Sequence, residues 1–221
     1  MENFTIVNKT LTLVAKRDSG KSFLLKWIVT QYKCEFDKIY VICPTESINK
    51  FYQKNNFIDS KCIYDNYDES FVNALINKMT SANNGKTKDV EGFKKVLLIL
   101  DDLVADTNFH SSSTLKKLYA RGRHVGIAII ITSQYLYAIP PIARANSDYV
   151  CVGQMNKQGL DILCDEFITA GLTKEEFINI YKNSTKDYSF LIINNNSTKS
   201  DDPNESYGKI KTPYEFVEKN K

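Results

Sequence analysis

Short apolar runs alternate with longer mixed stretches along the chain. Residues 11–14 (LTLV), 38–43 (KIYVIC), 96–100 (VLLIL) and 127–132 (IAIIIT) are almost continuously apolar, and each is short. Runs of this length and continuity read as strands buried on both faces. Between them, residues 22–32, 46–54, 68–80 and 112–120 read as helices, and 62–64 as a short strand. Pro140-Pro141 then breaks the chain. Beyond it, 149–152 and 188–193 read as strands and 157–182 as two helices. The stretch 81–95, SANNGKTKDVEGFKK, is polar and Lys-rich, and is expected to pack poorly and project into solvent. From 194 the chain turns polar, which predicts a loose tail (194–221) with a short terminal helix behind a domain spanning 1–193. Strands separated by helices imply an α/β fold with a mostly parallel central sheet covered by helices on both faces.

Ligands of such sheets bind at the carboxyl ends of the strands, and three of those ends carry polar chemistry. The first is Ala15, Lys16, Arg17, Asp18, Ser19, Gly20, Lys21 and Ser22. It lies one glycine short of the phosphate-binding loop G-x-x-x-x-G-K-[ST], with a strand before it and a helix after it. Backbone N–H groups of such a loop cradle phosphate oxygens. Lys21 is expected to reach the β- and γ-phosphates and the Ser22 hydroxyl to bind Mg²⁺, so ATP and Mg²⁺ are the implied cofactors. Ala15 stands where the first glycine belongs, and Asp18 puts a carboxylate near the phosphates for no reason evident in the sequence.

The second end is Asp101-Asp102, at the close of a fully apolar strand. This is the Walker B pattern: Asp101 would hold Mg²⁺ through water and Asp102 would orient the attacking water as a base. The bland alternative is a pair of acids at a strand end. The third is Gln134, whose amide can bridge a γ-phosphate and a water; an ordinary loop glutamine is the alternative.

Composition sharpens one point. The chain has 221 residues, 43% hydrophobic and 25% charged, ordinary for a globular protein. A net charge of +3 neither demands nor excludes nucleic acid. Yet 25 of the basic residues are Lys and only four are Arg, so each Arg is informative. Arg17 lies in the loop. Arg121 and Arg123 lie in YARGRHVGI, just before an apolar strand, where an Arg can face a neighbouring subunit and neutralise transition-state charge. A solvated turn or a DNA contact is the alternative for both, and Arg144 reads equally well as structural. The five cysteines are scattered, as expected of reduced thiols in an intracellular protein. The two histidines have no Cys or His partner nearby in sequence, which argues against a metal site of their own. No apolar run approaches the roughly 20 residues needed to span a bilayer, and the start of the chain does not read as a secretory leader.

The ordered set AKRDSGKS, VICPT, LLILDD, RGRHVGIAIIITSQ and IPPIARANSD resembles the viral genome-packaging ATPases of the FtsK/HerA superfamily. The branch it is most similar to is that of poxviruses, giant viruses, virophages and related large DNA transposons. The resemblance runs from about Leu11 to Val152. It implies a RecA-like P-loop ATPase that drives double-stranded DNA into a preformed capsid. It also implies a homo-oligomeric ring, pentameric or hexameric, docked on a capsid vertex or portal component. The expected location is the host-cell cytoplasm or viral factory, with virion association. By resemblance, Lys21 and Ser22 carry nucleotide and Mg²⁺, Asp101 and Asp102 the metal and water, and Gln134 the sensor role; Arg121 and Arg123 match the trans-acting finger more loosely. The Lys-rich loop with Lys86, Lys88, Lys94 and Lys95 would line the DNA channel, with a solvated surface loop as the alternative. A RecA-like helicase or DNA-transfer ATPase remains the alternative, and a small-molecule kinase a more distant one, since an Arg-bearing lid is hard to find.

Overall fold

The apolar runs form the middle of an eight-stranded sheet in a computed structural model that describes residues 4–88, 90–103, 106–169, 171–196 and 206–213. In chain order the elements are β1 (Thr10–Val14), α1 (Lys21–Tyr32), β2 (Lys38–Ile42), α2 (Glu46–Asn49), α3 (Phe51–Asn55), β3 (Ile63–Tyr64), α4 (Glu69–Ala82) and β4 (Val96–Asp101). They continue with α5 (Thr107–Ser111), α6 (Ser113–Arg121), β5 (Ile127–Ser133), α7 (Pro141–Ala145), β6 (Tyr149–Val152), α8 (Lys157–Phe167), α9 (Lys174–Ser184), β7 (Ser189–Asn194) and β8 (Tyr207–Lys211).

The strand order is β3-β2-β4-β5-β1-β6-β7-β8. All pairings from β3 to β6 are parallel, and the last two are antiparallel. Every residue of β1 and β5 is buried, which is why these strands read as unbroken apolar runs. Connections between parallel strands of one sheet are right-handed as a rule. The chain moves one way along the sheet from β1 to β2 and the other way from β3 through β4 and β5 to β6. Hence α1 covers one face, and α4, α6 and α7 the other.

Register brings the carboxyl ends level. Val14 pairs with Ser133, and Asp101 pairs with Thr132. The residues that follow, Ala15, Gln134 and Asp102, therefore emerge along one rim of the sheet.

Three expectations change. The helix expected over 46–54 is two, divided at Lys50, whose backbone is left-handed (φ 53°). The carboxylate of the fully buried Glu46 accepts the N–H groups of Tyr52 (3.0 Å) and Gln53 (2.9 Å), so it starts α3 anew. The Lys-rich stretch is exposed over 84–87 and 90–92, as expected, but it is tied down at its ends. Asn83 accepts the Lys94 N–H (2.7 Å) and donates to the carbonyls of Lys94 and Val125, while Phe93 is buried. Lys94 itself is paired with Asp37 (2.8 Å). Finally, residues 207–211 of the expected loose tail form β8, paired antiparallel with β7. Tyr207 anchors it, donating its hydroxyl proton to the Phe167 carbonyl (2.9 Å). The terminal helix expected beyond falls outside the described residues.

Candidate active site

The loop after β1 is set by its two neighbouring strands. Ala15 N–H donates to the Ser133 carbonyl (3.2 Å), Gly153 N–H to that of Val14 (2.8 Å), and Lys16 N–H to that of Gln154 (2.9 Å). Ala15 is fully buried. A Cβ on Gly153 would fall 2.8 Å from the Ala15 Cβ and 2.9 Å from a Phe190 ring carbon. The missing side chain at 153 thus leaves the room that the methyl at 15 occupies.

Asp18 is exposed and its backbone is left-handed (φ 58°), a conformation Asp adopts more readily than most residues. That is the physical reason for an acid in this loop: it serves the turn, with its charge in solvent. Ser19 donates its hydroxyl to the Lys16 carbonyl (2.5 Å) and closes the turn. Gly20 (φ 85°) caps α1 without any side-chain hydrogen bond, and no acid occupies the first turn. The leading N–H groups of α1 are therefore left for an anion.

Opposite the loop, Asp101 at the end of β4 sits in a net of donors drawn from β5, the end of β2 and α3. Thr132, next to it on β5, donates its hydroxyl to Oδ1. Tyr52 of α3 donates to Oδ2 at 2.8 Å, and the Cys43 thiol, just past β2, approaches the same oxygen at 3.5 Å. Lys21 Nζ lies 3.5 Å from the Thr132 hydroxyl, which links the loop lysine to this net. Burial, with the Asp101 charge beside it, pushes the Cys43 thiol up to about 12 and the Tyr52 phenol well above its usual range. Both stay protonated donors at any physiological pH.

Asp102 is held differently. Its backbone is left-handed (φ 55°), which turns it out of the strand line. Its Oδ2 accepts a hydrogen bond from Gln134 Nε2 at 2.8 Å. The amide placed by the sequence between phosphate and water is, in this structure, the partner of the second aspartate.

Lys16, Arg17, Asp18, Gly20, Lys21 and Ser22 share one cleft of about 540 Å³ with Asp101, Asp102 and Gln134. Its far wall is the segment after β2, with Thr45, Asn49, Phe51, Lys54 and Asn55. Ala15 and Ser19 support the loop from behind and do not line this cleft. Arg121 and Arg123 are not brought to it either. Arg123 lies 3.7 Å from Asp148, which also accepts from Lys9 Nζ (3.2 Å) and the Thr10 N–H (2.8 Å). Lys9 precedes β1, Thr10 opens it and Asp148 precedes β6, so the arginines sit at the amino end of the sheet, opposite the loop. Arg144 is buried and forms a two-pronged pair with Glu166 (2.7 and 2.5 Å), a structural role. Among the described residues, no group of three or more His, Cys, Asp or Glu side chains is placed to hold a metal alone.

Sequence reasoning missed Cys43, Tyr52 and Thr132. The first two lie in the stretch 38–54, read only as a strand and a helix. Their one signal is placement: a Cys closing a buried strand, and a Tyr on a helix that follows it.

Known proteins resemble this chain along most of its length. It is 27% identical over 199 residues to the uncharacterized protein 075L of Invertebrate iridescent virus 6, covering 89% of this chain and 74% of that one. It is 27% identical over 166 residues to the uncharacterized protein L437 of Acanthamoeba polyphaga mimivirus, covering 72% of this chain and 58% of that one. The fold matches that of the genome packaging NTPase B204 from Sulfolobus turreted icosahedral virus 2, solved in complex with AMPPCP. The TM-score is 0.63 at 17% identity, with 92% of this chain and 97% of that chain covered. No helix among the described residues is long and apolar enough to cross a membrane. The family model described as Poxvirus A32 protein matches residues 2–207, and the chain belongs to that family.

Proposed function

We propose that this chain is the ATP-hydrolysing subunit of a motor that moves double-stranded DNA into a viral capsid. The observation that carries the reading is the single cleft joining Lys21 and Ser22 to Asp101, Asp102 and Gln134. The Poxvirus A32 family membership and the fold shared with a genome packaging NTPase support it.

The geometry suits hydrolysis. Strand β5 separates β1 from β4, so the phosphate loop and the Asp101-Asp102 pair stand two strand spacings apart, roughly 10 Å. That gap admits a terminal phosphate with a water beyond it. Lys21 and the open N–H groups of α1 hold the phosphates. Asp102, oriented by Gln134, takes a proton from the water as it attacks.

The residues also fit Mg²⁺. Such an ion is held by one or two carboxylates, a hydroxyl, waters and the substrate's own phosphates, so it needs no all-protein cage. Ser22 and Asp101, on facing walls of the cleft, are the side chains that would hold it. When bound, the ion neutralises charge building on the phosphates. Asp101 is already fixed by Thr132, Tyr52 and Cys43 for that task.

Arg121 and Arg123 stand at the far end of the sheet from their own loop, so any part they play in hydrolysis is played in a neighbouring subunit. Arg121, exposed at the end of α6, suits that role. Arg123 is engaged with Asp148. On this reading the working unit is a ring acting on duplex DNA at a capsid vertex, in the host-cell cytoplasm or viral factory.

The test is hydrolysis by purified protein with Lys21→Ala beside it. The expected result is ATP turnover by the wild type and none by the variant, with both equally folded. Turnover retained by Lys21→Ala would overturn the assignment of the cleft.

A further inference from the structure

The phosphate loop has a second hollow on its other side. Lys16, Arg17 and Asp18 line both the cleft described above and a hollow of about 360 Å³ that continues to Gln154, Asp187 and Tyr188. We infer that this hollow receives the nucleoside of the bound nucleotide, with the base stacked on Tyr188. This deepens the proposed function and rests on it.

Direction comes from the sheet. The groups suited to attack on the terminal phosphate, Asp101, Asp102 and Gln134, follow β4 and β5, on one side of β1. Gln154 follows β6 and Tyr188 precedes β7, on the other side. A chain of phosphates lying over the loop after β1, with its terminal phosphate at β4 and β5, carries its nucleoside toward β6 and β7.

The chemistry of the hollow matches. The Tyr188 ring is half-exposed, a flat face offered to solvent beside a phosphate loop. Aromatic side chains take any base by stacking. The Asp187 carboxylate and the Gln154 amide supply acceptors and donors for ribose hydroxyls or base nitrogens.

The ring is also held in place. A Cβ on Gly20 would lie 3.2 Å from a Tyr188 ring carbon and 3.4 Å from the Thr212 hydroxyl, so both press on the start of α1. Thr212 N–H donates to the Tyr188 carbonyl (3.2 Å). Asp187 and Tyr188 are both left-handed (φ 52° and 58°), two successive non-glycine residues in a conformation that costs free energy. Such strain gathers at ligand clamps. The Thr212 hydroxyl, buried at 1% exposure, has no hydrogen-bond partner among the described residues.

The test compares equilibrium binding of AMPPCP and of inorganic tripolyphosphate, which has no base. Tyr188→Ala should weaken AMPPCP binding about tenfold and leave tripolyphosphate unchanged, while Tyr188→Phe keeps both. Unchanged tripolyphosphate binding also shows that the loop is intact in the variant. In the wild-type protein, 8-azido-ATP should label the peptide containing Tyr188. Equal loss of both ligands in Tyr188→Ala, no loss of AMPPCP, or labelling confined to the peptides of Phe23 and Phe51, the aromatic residues that line the first cleft, would overturn the inference and leave the phosphate site standing. A wild type that binds neither ligand would overturn the site itself.

Discussion

Replacing Tyr52 by Phe removes one atom from the net around Asp101. The Tyr52 ring is fully buried, stacked on Phe57 (centroids 5.4 Å apart) and edge-on to Phe51 (5.3 Å). A Phe ring keeps all of this, so the change isolates the hydroxyl. What is lost is the 2.8 Å hydrogen bond to Asp101 Oδ2, and that oxygen then has only the Cys43 thiol at 3.5 Å. Hydrogen bonds to charged groups contribute about 1.5–3 kcal/mol. For a chain of this size that is a fall in Tm of about 3–12 °C. The same substitution should raise the Mg²⁺ concentration needed for half-maximal nucleotide binding, because Asp101 is freer to move. The assay is thermal unfolding of Tyr52→Phe, Asp101→Ala and the double variant. A coupling above about 0.5 kcal/mol between the two sites is expected. Additive losses, or a neutral Tyr52→Phe, would refute the reading of Asp101 as a residue positioned by this net.

Other consequences follow from separate parts of the molecule. Gly153→Ala forces a methyl against Ala15 and Phe190 and should cost about 1–3 kcal/mol in denaturant unfolding, a cost that Ala15→Gly in the same chain partly relieves; a neutral Gly153→Ala contradicts the packing argument. The Thr114 N–H and side chain, then the Ser112 hydroxyl, hold the Glu69 carboxyl down at about 2. A depressed acid stabilises the fold above its ordinary value of 4.5, and that contribution fades as pH falls toward about 2. The stability gap between wild type and Glu69→Gln should therefore close over that window, and a gap independent of pH contradicts it. Arg121→Ala should bind ATP normally and hydrolyse it about 10³-fold more slowly. Mixed with inactive Lys21→Ala protein it should recover activity, and a mixture that stays inactive at every ratio argues against action in trans.

The parts of the site legible in the sequence were those local in sequence. The phosphate loop, Asp101-Asp102 and Gln134 each follow a continuous apolar run, and in a parallel sheet such runs all end at one rim. What a single segment does not encode is which distant side chains meet there. Cys43, Tyr52 and Thr132 converge on Asp101 only because β2 and β5 flank β4. Asp18 has no evident reason in the sequence because its role is conformational, and a left-handed backbone leaves no mark in charge patterning. Strand β8 is masked by its lysines: Lys209 and Lys211 are exposed on the face they share with Tyr207, and with one neighbouring strand β8 carries too few apolar residues to stand out from a tail. The sequence shows only the charge of the arginine pair, and the split between exposed Arg121 and Asp148-bound Arg123 comes from the fold.

The most direct test of the motor is translocation itself. Duplex DNA carrying a third strand wound into its major groove is mixed with the protein, and release of that strand is followed with ATP, with AMPPCP, and with the Lys21→Ala variant. The wild type should release the strand only with ATP and hydrolyse faster as the duplex lengthens, and neither effect should appear with AMPPCP or Lys21→Ala. Hydrolysis indifferent to duplex DNA, with the third strand left in place, would contradict the proposed motor.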